Sequence, residues 1–224
     1  MNNSFTHKRT EWNNQALSNS EHSKQVLRPI DKKDFQNYIE YILNKLQLSE
    51  TTDYLLDVGC GNGLMLSKLK ENSRNIAGLD YSEVMIEEAR KILPEAVLFI
   101  SEAKNIPFPD NTFDRVLSYS ISHYFPSDDY FYQAIDEMIR VCKDGAVILL
   151  GDVLDKKFEK EIKDASNKKI EQEIPLIMRY SEWRFYNIED VCKHYADRGV
   201  CCEIITQPAT IKTSHYRKDI LIKI

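Results

Sequence analysis

The densest chemical signal in the chain is the run Asp57-Val-Gly59-Cys-Gly61-Asn-Gly63, at the end of the apolar segment Tyr54 to Val58. Glycines lack a Cβ and reach positive φ, so the backbone of such a turn can come close to a ligand. The following LMLSKLKEN reads as a helix, and its first N–H groups and positive dipole end face the same space. In dinucleotide sites that end meets a pyrophosphate. Two features argue against a nicotinamide cofactor here. The spacing is G-x-G-x-G rather than G-x-G-x-x-G, and a carboxylate, Asp57, stands just before the glycines. An acid in that place repels a diphosphate and suits a cationic group such as an amino acid's ammonium.

Two further acids extend the pattern. Asp80 closes the next apolar run, NIAGLD, 23 residues beyond Asp57, where an acid can accept hydrogen bonds from ribose hydroxyls. Glu102 follows the third run, AVLFI, and suits an exocyclic adenine amine. Ammonium, ribose and adenine in that order describe S-adenosylmethionine. His123, in SISHYF after the fourth run, is the candidate general base, since histidine exchanges protons near neutral pH. Its other reading is a ring that packs beside the substrate. Aromatic and basic residues interleave at Arg179, Tyr180, Trp183, Arg184 and Tyr186, again at Tyr216 and Arg217, and Lys24 and Arg28 lie near the N-terminus. Arginine forks match carboxylate or phosphate, which points to a small anionic acceptor, phosphorylated or nucleotide-linked.

These residues need elements to hold them. Strand-like runs at 54–58, 75–80, 96–100, 113–120 and 145–153 alternate with helix-like periodicity at 64–72, 82–93 and 128–142. Such alternation predicts a parallel sheet covered on both faces. Residues 34–48 carry apolar positions at helical spacing. The charged stretch 155–174 predicts a helix, and 187–199 another, N-capped by Asn187 and stopped by Gly199. Segments 201–208 and 218–224 predict an antiparallel edge pair. The expected organisation is a helical lid over 1–50 and a main domain over 51–224, with an inserted helical and aromatic segment around 155–186.

DVGCGNG, GLDYSEVMIEEAR, SEAKNIPFPDNTFDRVLS and EMIRVCKDGAVILL, in that order, resemble the class I S-adenosylmethionine-dependent methyltransferases, and among them the small-molecule subgroup. The resemblance covers roughly residues 54–152. It implies an α/β, Rossmann-like fold: a seven-stranded, mostly parallel sheet, helices on both faces and an antiparallel closing hairpin at the edge. It implies that Asp57, Gly59 and Gly61 contact the methionine part of the cofactor, and that Asp80 holds the ribose diol with Tyr81 and Met85 lining its pocket. Glu102 and Ala103 would meet the adenine, and Ser120 would stand near the substrate entrance. Tyr124, Arg179, Tyr180, Arg184 and Arg28 are the expected acceptor contacts, with no metal. The sequence departs from the family's usual pattern at Lys143-Asp-Gly145, often a Pro-Gly turn, and at Glu102, often Asp. The implied activity is methyl transfer to a small molecule, as O-methylation aided by His123, releasing S-adenosylhomocysteine. The alternatives are a protein- or nucleic-acid-directed methyltransferase and a non-catalytic cofactor-binding module.

The bulk numbers narrow the partners. A net charge of -5 disfavours non-specific binding to a phosphate backbone, so no nucleic-acid partner is expected. Five cysteines without a C-x-x-C pair fit a reducing compartment. The polar N-terminus has no apolar core of a secretory signal, and no apolar run reaches the roughly 18 residues of a membrane span. A cytoplasmic protein without a membrane partner is the expectation.

Overall fold

The computed structural model describes residues 3–27, 32–48, 54–73, 75–211 and 213–224. Strands β1 (Tyr54–Val58), β2 (Asn75–Asp80), β3 (Val97–Ile100), β4 (Phe113–Tyr119) and β5 (Cys142–Leu154) run parallel. β6 (Cys201–Thr206) and β7 (Arg217–Lys223) close the sheet antiparallel, in the order β3-β2-β1-β4-β5-β7-β6. The sheet is seven-stranded and mostly parallel, as the resemblance implied. The winding reverses between β1 and β4, so a crevice opens at the carboxyl ends of those strands.

Period-2 alternation divides the core. Leu56, Val58, Val116 and Ile148 face α6 (Asp128–Val141) and α9 (Ile188–Ala196), meeting Phe131, Ile135, Met138 and Val191. Leu55, Leu117 and Leu149 face the other way, onto α3 (Lys32–Leu46), α4 (Leu66–Leu69) and α5 (Glu83–Ile92). Ser82 caps α5 by accepting from Met85 N at 3.1 Å, and Ser127 caps α6 by accepting from Tyr130 N at 3.1 Å.

Several expectations are revised. Ile42 and Leu46 of α3 are fully buried on the sheet while Phe35 and Tyr38, nearer its start, line the cavity; Phe5 and Trp12 of α1 (Asn3–Leu17), with Val26 and Leu27 just after α2 (His22–Gln25), reach over the strand ends. The helix expected over 64–72 shrinks to α4 and a 3-10 turn at Lys70–Asn72. Its first residues are spent on the turn, where Gly63 N bonds Cys60 O and Asn62 Oδ1 accepts from Leu64 N at 3.2 Å. The charged stretch 155–174 is not one helix. It forms a 3-10 turn at Lys156–Phe158, then α7 (Glu159–Ala165) and α8 (Lys168–Glu173). They break where Asn167 Oδ1 accepts from Lys169 N and Ile170 N, and a side chain that caps a new helix ends the old one. Residues 175–186 add two 3-10 turns, and a bridge between Asp155 and Tyr186 closes the insertion at its base. Asn187 occupies the N-cap position of α9 but donates to Asp190 Oδ2 at 2.5 Å instead of accepting from the backbone. Gly199, at φ +80°, follows the last turn as expected.

Candidate active site

A cavity of about 480 Å³ occupies the crevice at the carboxyl ends of the strands. Its floor is the glycine turn and its roof is α1, α2 and the insertion after β5.

The turn is shaped by its own backbone. Gly59 sits at φ +79° and its N–H donates to Leu79 O at 2.7 Å; a Cβ there would lie 2.6 Å from Ile121 Cδ1. Gly61, at φ +53°, donates its N–H to Asp80 Oδ2 at 3.0 Å, while Ser82 N donates to Oδ1 at 2.8 Å. Both oxygens of Asp80 thus accept from the backbone, and a carboxylate with about four lone-pair sites can still accept from a ligand hydroxyl. Burial pushes the Asp80 carboxyl up to about 6, against the lowering effect of those N–H groups. Asp57 is buried in the same wall.

Tyr81, Met85, Ser101 and Ala103 continue the lining. Phe5 of α1 stacks over this part, its ring 5.2 Å from Tyr81 and 5.4 Å from Tyr130. Glu102 flanks the cavity without lining it; it lies 3.7 Å from Lys104, and Ser101 and Ala103 supply the wall. A bare turn, two buried acids and a small-residue wall fit the ammonium, ribose and adenine of S-adenosylmethionine.

Beyond β4 the wall becomes aromatic. Ser120 leaves the strand at φ +63°, a left-handed conformation that costs an ordinary residue about 1–2 kcal/mol and that clusters at functional sites. His123 is buried, with ring centroids 4.0 Å from Tyr124 and 4.8 Å from Trp183. Trp12 of α1 meets Tyr124 edge-on at 5.4 Å. Tyr180 lines the same region and packs on Trp183 at 4.4 Å.

Two expected acceptor contacts are corrected. Arg179 donates through Nε to Ile174 O at 2.7 Å and does not line the cavity. Arg184 donates to Pro126 O at 2.7 Å and pairs with Asp128 at 3.0 Å, tying the insertion to the loop before α6. Both guanidiniums are spent on chain carbonyls, which is what an insertion with little core of its own requires. Arg28 lies outside the described residues, and Lys24 is exposed and paired with Glu21.

Other residues enter the site that sequence reasoning passed over. Asp152, near the end of β5 at φ +59°, lines the cavity, as do Tyr38 and Tyr119. Asp152 had a signal: it stands near the end of an apolar run as Asp57 and Asp80 do. Arg217, noted in the sequence only among the late basic residues, is buried in this wall and pairs with Asp152 at 3.1 Å. Asn62 is fully buried and donates to His22 O at 2.9 Å and Gln25 Oε1 at 2.7 Å, pinning α2 to the glycine turn. No periodicity announces it.

A family model described as a methyltransferase domain matches residues 56–150. The chain is 35% identical over 121 residues to a probable methyltransferase, ltbC, of Aspergillus luteorubrus, covering 48% of this chain and 42% of that protein. It is 33% identical over 106 residues to the human probable tRNA methyltransferase 9B, covering 47% of this chain and 22% of the relative. The chain therefore spans less than half the length of these curated relatives. Among solved structures, a SAM dependent methyltransferase from Aquifex aeolicus superposes with a TM-score of 0.63 at 20% identity, over 95% of this chain and 98% of that one.

Proposed function

We propose that this chain, whose residues 56–150 match a methyltransferase domain, is a class I S-adenosylmethionine-dependent methyltransferase and catalyses methyl transfer to a small anionic molecule held in the aromatic part of its cavity. The observation that carries the reading is one continuous cavity. It joins a bare glycine turn with two buried carboxylates to an aromatic wall containing His123.

In this reading Gly59, Gly61 and Asp57 hold the amino-acid end of the cofactor, Asp80 the ribose diol, and Ser101 and Ala103 the adenine. The bound cofactor supplies a methyl group already activated on a sulfonium, so the protein's work is mainly alignment. Proximity and orientation account for roughly 7–11 kcal/mol of barrier in such reactions. Tyr119, Ser120 and Tyr124 orient the acceptor. His123 takes the proton from an acceptor hydroxyl as the oxygen gains carbon, which makes the product an O-methyl compound and the leaving group a neutral thioether. The roof of α1 and α2 is a lid that excludes water from this step.

The test uses purified protein, labelled donor and a panel of small organic acids and phosphorylated metabolites. Calorimetry with S-adenosylhomocysteine gives the cofactor-site affinity. His123→Asn is expected to lower kcat by about a hundredfold or more, the usual worth of a general base, with unchanged product affinity. Unchanged kcat would remove the base and leave alignment alone.

A second reading has one observation in its favour. The likeness to a probable tRNA methyltransferase makes a nucleic-acid base the rival acceptor. Including tRNA in the same panel separates the two.

A further inference from the structure

Arg217 and Asp152 are not used in the account of cofactor binding and proton transfer, yet both line the cavity. Arg217 opens β7 opposite Leu154 of β5 and is only 8% exposed. Its Nη1 donates to Asp152 Oδ2 at 3.1 Å. Its guanidinium carbon lies 5.3 Å from the ring centroids of both Trp183 and Tyr216, an aromatic clamp on the cation. Its Nε is buried with no hydrogen-bond partner among the described residues. An unmade bond on a buried donor costs about 1–3 kcal/mol, so its persistence at a cavity wall points to a ligand.

The surroundings fix this guanidinium in place. Asp152 Oδ1 accepts from Gln207 Nε2 at 2.8 Å, and the Asp152 backbone N–H donates to Asp219 Oδ1 at 2.9 Å. Tyr41 donates its hydroxyl to Asp219 Oδ2 at 2.7 Å. Asp152 keeps a left-handed backbone under these constraints. The position in the sheet matters as well. β7 is four strands from β2, about 19 Å at the usual strand spacing of about 4.8 Å, so Arg217 and Asp80 mark opposite ends of the cavity.

Deepening the methyl-transfer reading and resting on it, we propose that Arg217 seats a planar carboxylate of the acceptor, so that the acceptor is a flat, aromatic or unsaturated organic acid lying along Trp183. A guanidinium fork matches a carboxylate in two parallel bonds. The aromatic faces of Tyr38, Tyr119 and Trp183 suit a flat apolar body. The two neighbouring acids decide against a phosphate monoester. Asp152 and Asp219 already stand in this neighbourhood, so a monoanionic carboxylate beside the guanidinium meets less repulsion there than a dianionic phosphate monoester.

The experiment titrates the full chain, saturated with S-adenosylhomocysteine, with benzoate, benzamide and phenyl phosphate. Calorimetry and tryptophan fluorescence are the readouts, since both tryptophans, Trp12 and Trp183, line the cavity. Benzoate is expected to bind at least tenfold more tightly than benzamide or phenyl phosphate. Arg217→Met should erase that preference while leaving the S-adenosylhomocysteine affinity as it was. Arg217→Lys should keep only part of it, because an ammonium has no fork. Because Arg217→Met strands the buried Asp152, the double variant Asp152→Asn/Arg217→Met, which removes that acid as well, must show the same loss. Equal binding of benzoate and benzamide, tighter binding of phenyl phosphate, or a preference that survives both variants overturns the proposal. Failure of the wild type to bind S-adenosylhomocysteine would overturn the methyltransferase reading along with it.

Discussion

The cofactor end of the cavity takes its acids, its glycine turn and its small-residue wall from a single stretch of chain, residues 57–103, at or shortly after the carboxyl ends of β1, β2 and β3. The acceptor end draws Trp12 from α1, Tyr38 from α3, His123 and Tyr124 from the loop after β4, Trp183 from the insertion and Arg217 from β7. The first is a backbone site, held by hydrogen bonds such as Gly61 N to Asp80 at 3.0 Å. The second is a side-chain site, held by ring contacts and by the acid network under Asp152. A site made by backbone geometry tolerates little change of ligand. A site made by side chains from remote segments can be refitted one residue at a time, and specificity belongs there.

The largest effect should come from breaking the backbone site. In the proposed reading Asp80→Ala removes the acceptor of two charge-assisted bonds to a ribose diol, each worth about 1.5–3 kcal/mol. The expected result is at least a hundredfold weaker binding of S-adenosylhomocysteine by calorimetry, since each tenfold corresponds to about 1.4 kcal/mol. The variant also frees the N–H groups of Gly61 and Ser82, so a melting curve must accompany it. Asp80→Asn, which keeps the shape, should lose less. If Asp80→Ala binds normally, the contrast between the two ends collapses.

This contrast also explains what could be read from the sequence. The strands, their order of use and the two acids at 57 and 80 were legible because the rule that places them is local: apolar run, turn, helix. The acceptor end obeys no local rule. Arg179 and Arg184 have the right chemistry and lie near Trp183 in the chain, yet Arg179 closes on a carbonyl inside the insertion and Arg184 on a carbonyl of the loop before α6. Arg217 lies far along the chain and reaches the cavity only because β7 inserts between β5 and β6. Sequence proximity to an aromatic cluster says nothing about which way a long side chain points once an irregular insertion must satisfy its own backbone.

A smaller effect follows from acidity. Hydrogen bonds from ribose hydroxyls favour the ionised Asp80, whose carboxyl stands at about 6 without ligand. Affinity for S-adenosylhomocysteine should be flat above about pH 7 and about tenfold weaker at pH 5, where roughly one molecule in ten carries the charge. Stability of the free protein moves the other way. A carboxyl raised from 3.8 to about 6 holds more protons folded than unfolded in that window, so its penalty is full above about 6 and relieved as pH falls toward 4. Asp219, likewise pushed up to about 6, adds to the same trend. Calorimetry and melting measured from pH 5 to 8 should therefore diverge, and parallel curves would mean that Asp80 does not touch the ligand.

The smallest effect concerns the element that touches both ends. α1 bonds α5 through Arg9 and Asn13 to Glu83, at 2.5 and 3.1 Å, and it bonds the insertion where Glu11 accepts from Leu176 N and Ile177 N at 2.9 and 3.0 Å. The exposed Arg9 pair is worth at most about 1 kcal/mol, so no single tie locks the roof. Between them Trp12 packs edge-on against Tyr124, a contact of about 0.5–1.5 kcal/mol beyond its buried area. A helix held by several weak ties on two sides is suited to opening in each turnover, and opening limits product release in many enzymes of this kind of design. Trp12→Ala should speed S-adenosylhomocysteine release a few-fold in stopped-flow measurements while leaving Asp80 and the glycine turn intact. If that rate is unchanged and only the acceptor KM rises, Trp12 belongs to the side-chain end alone, and the roof is a wall of the acceptor pocket rather than a cover shared by both.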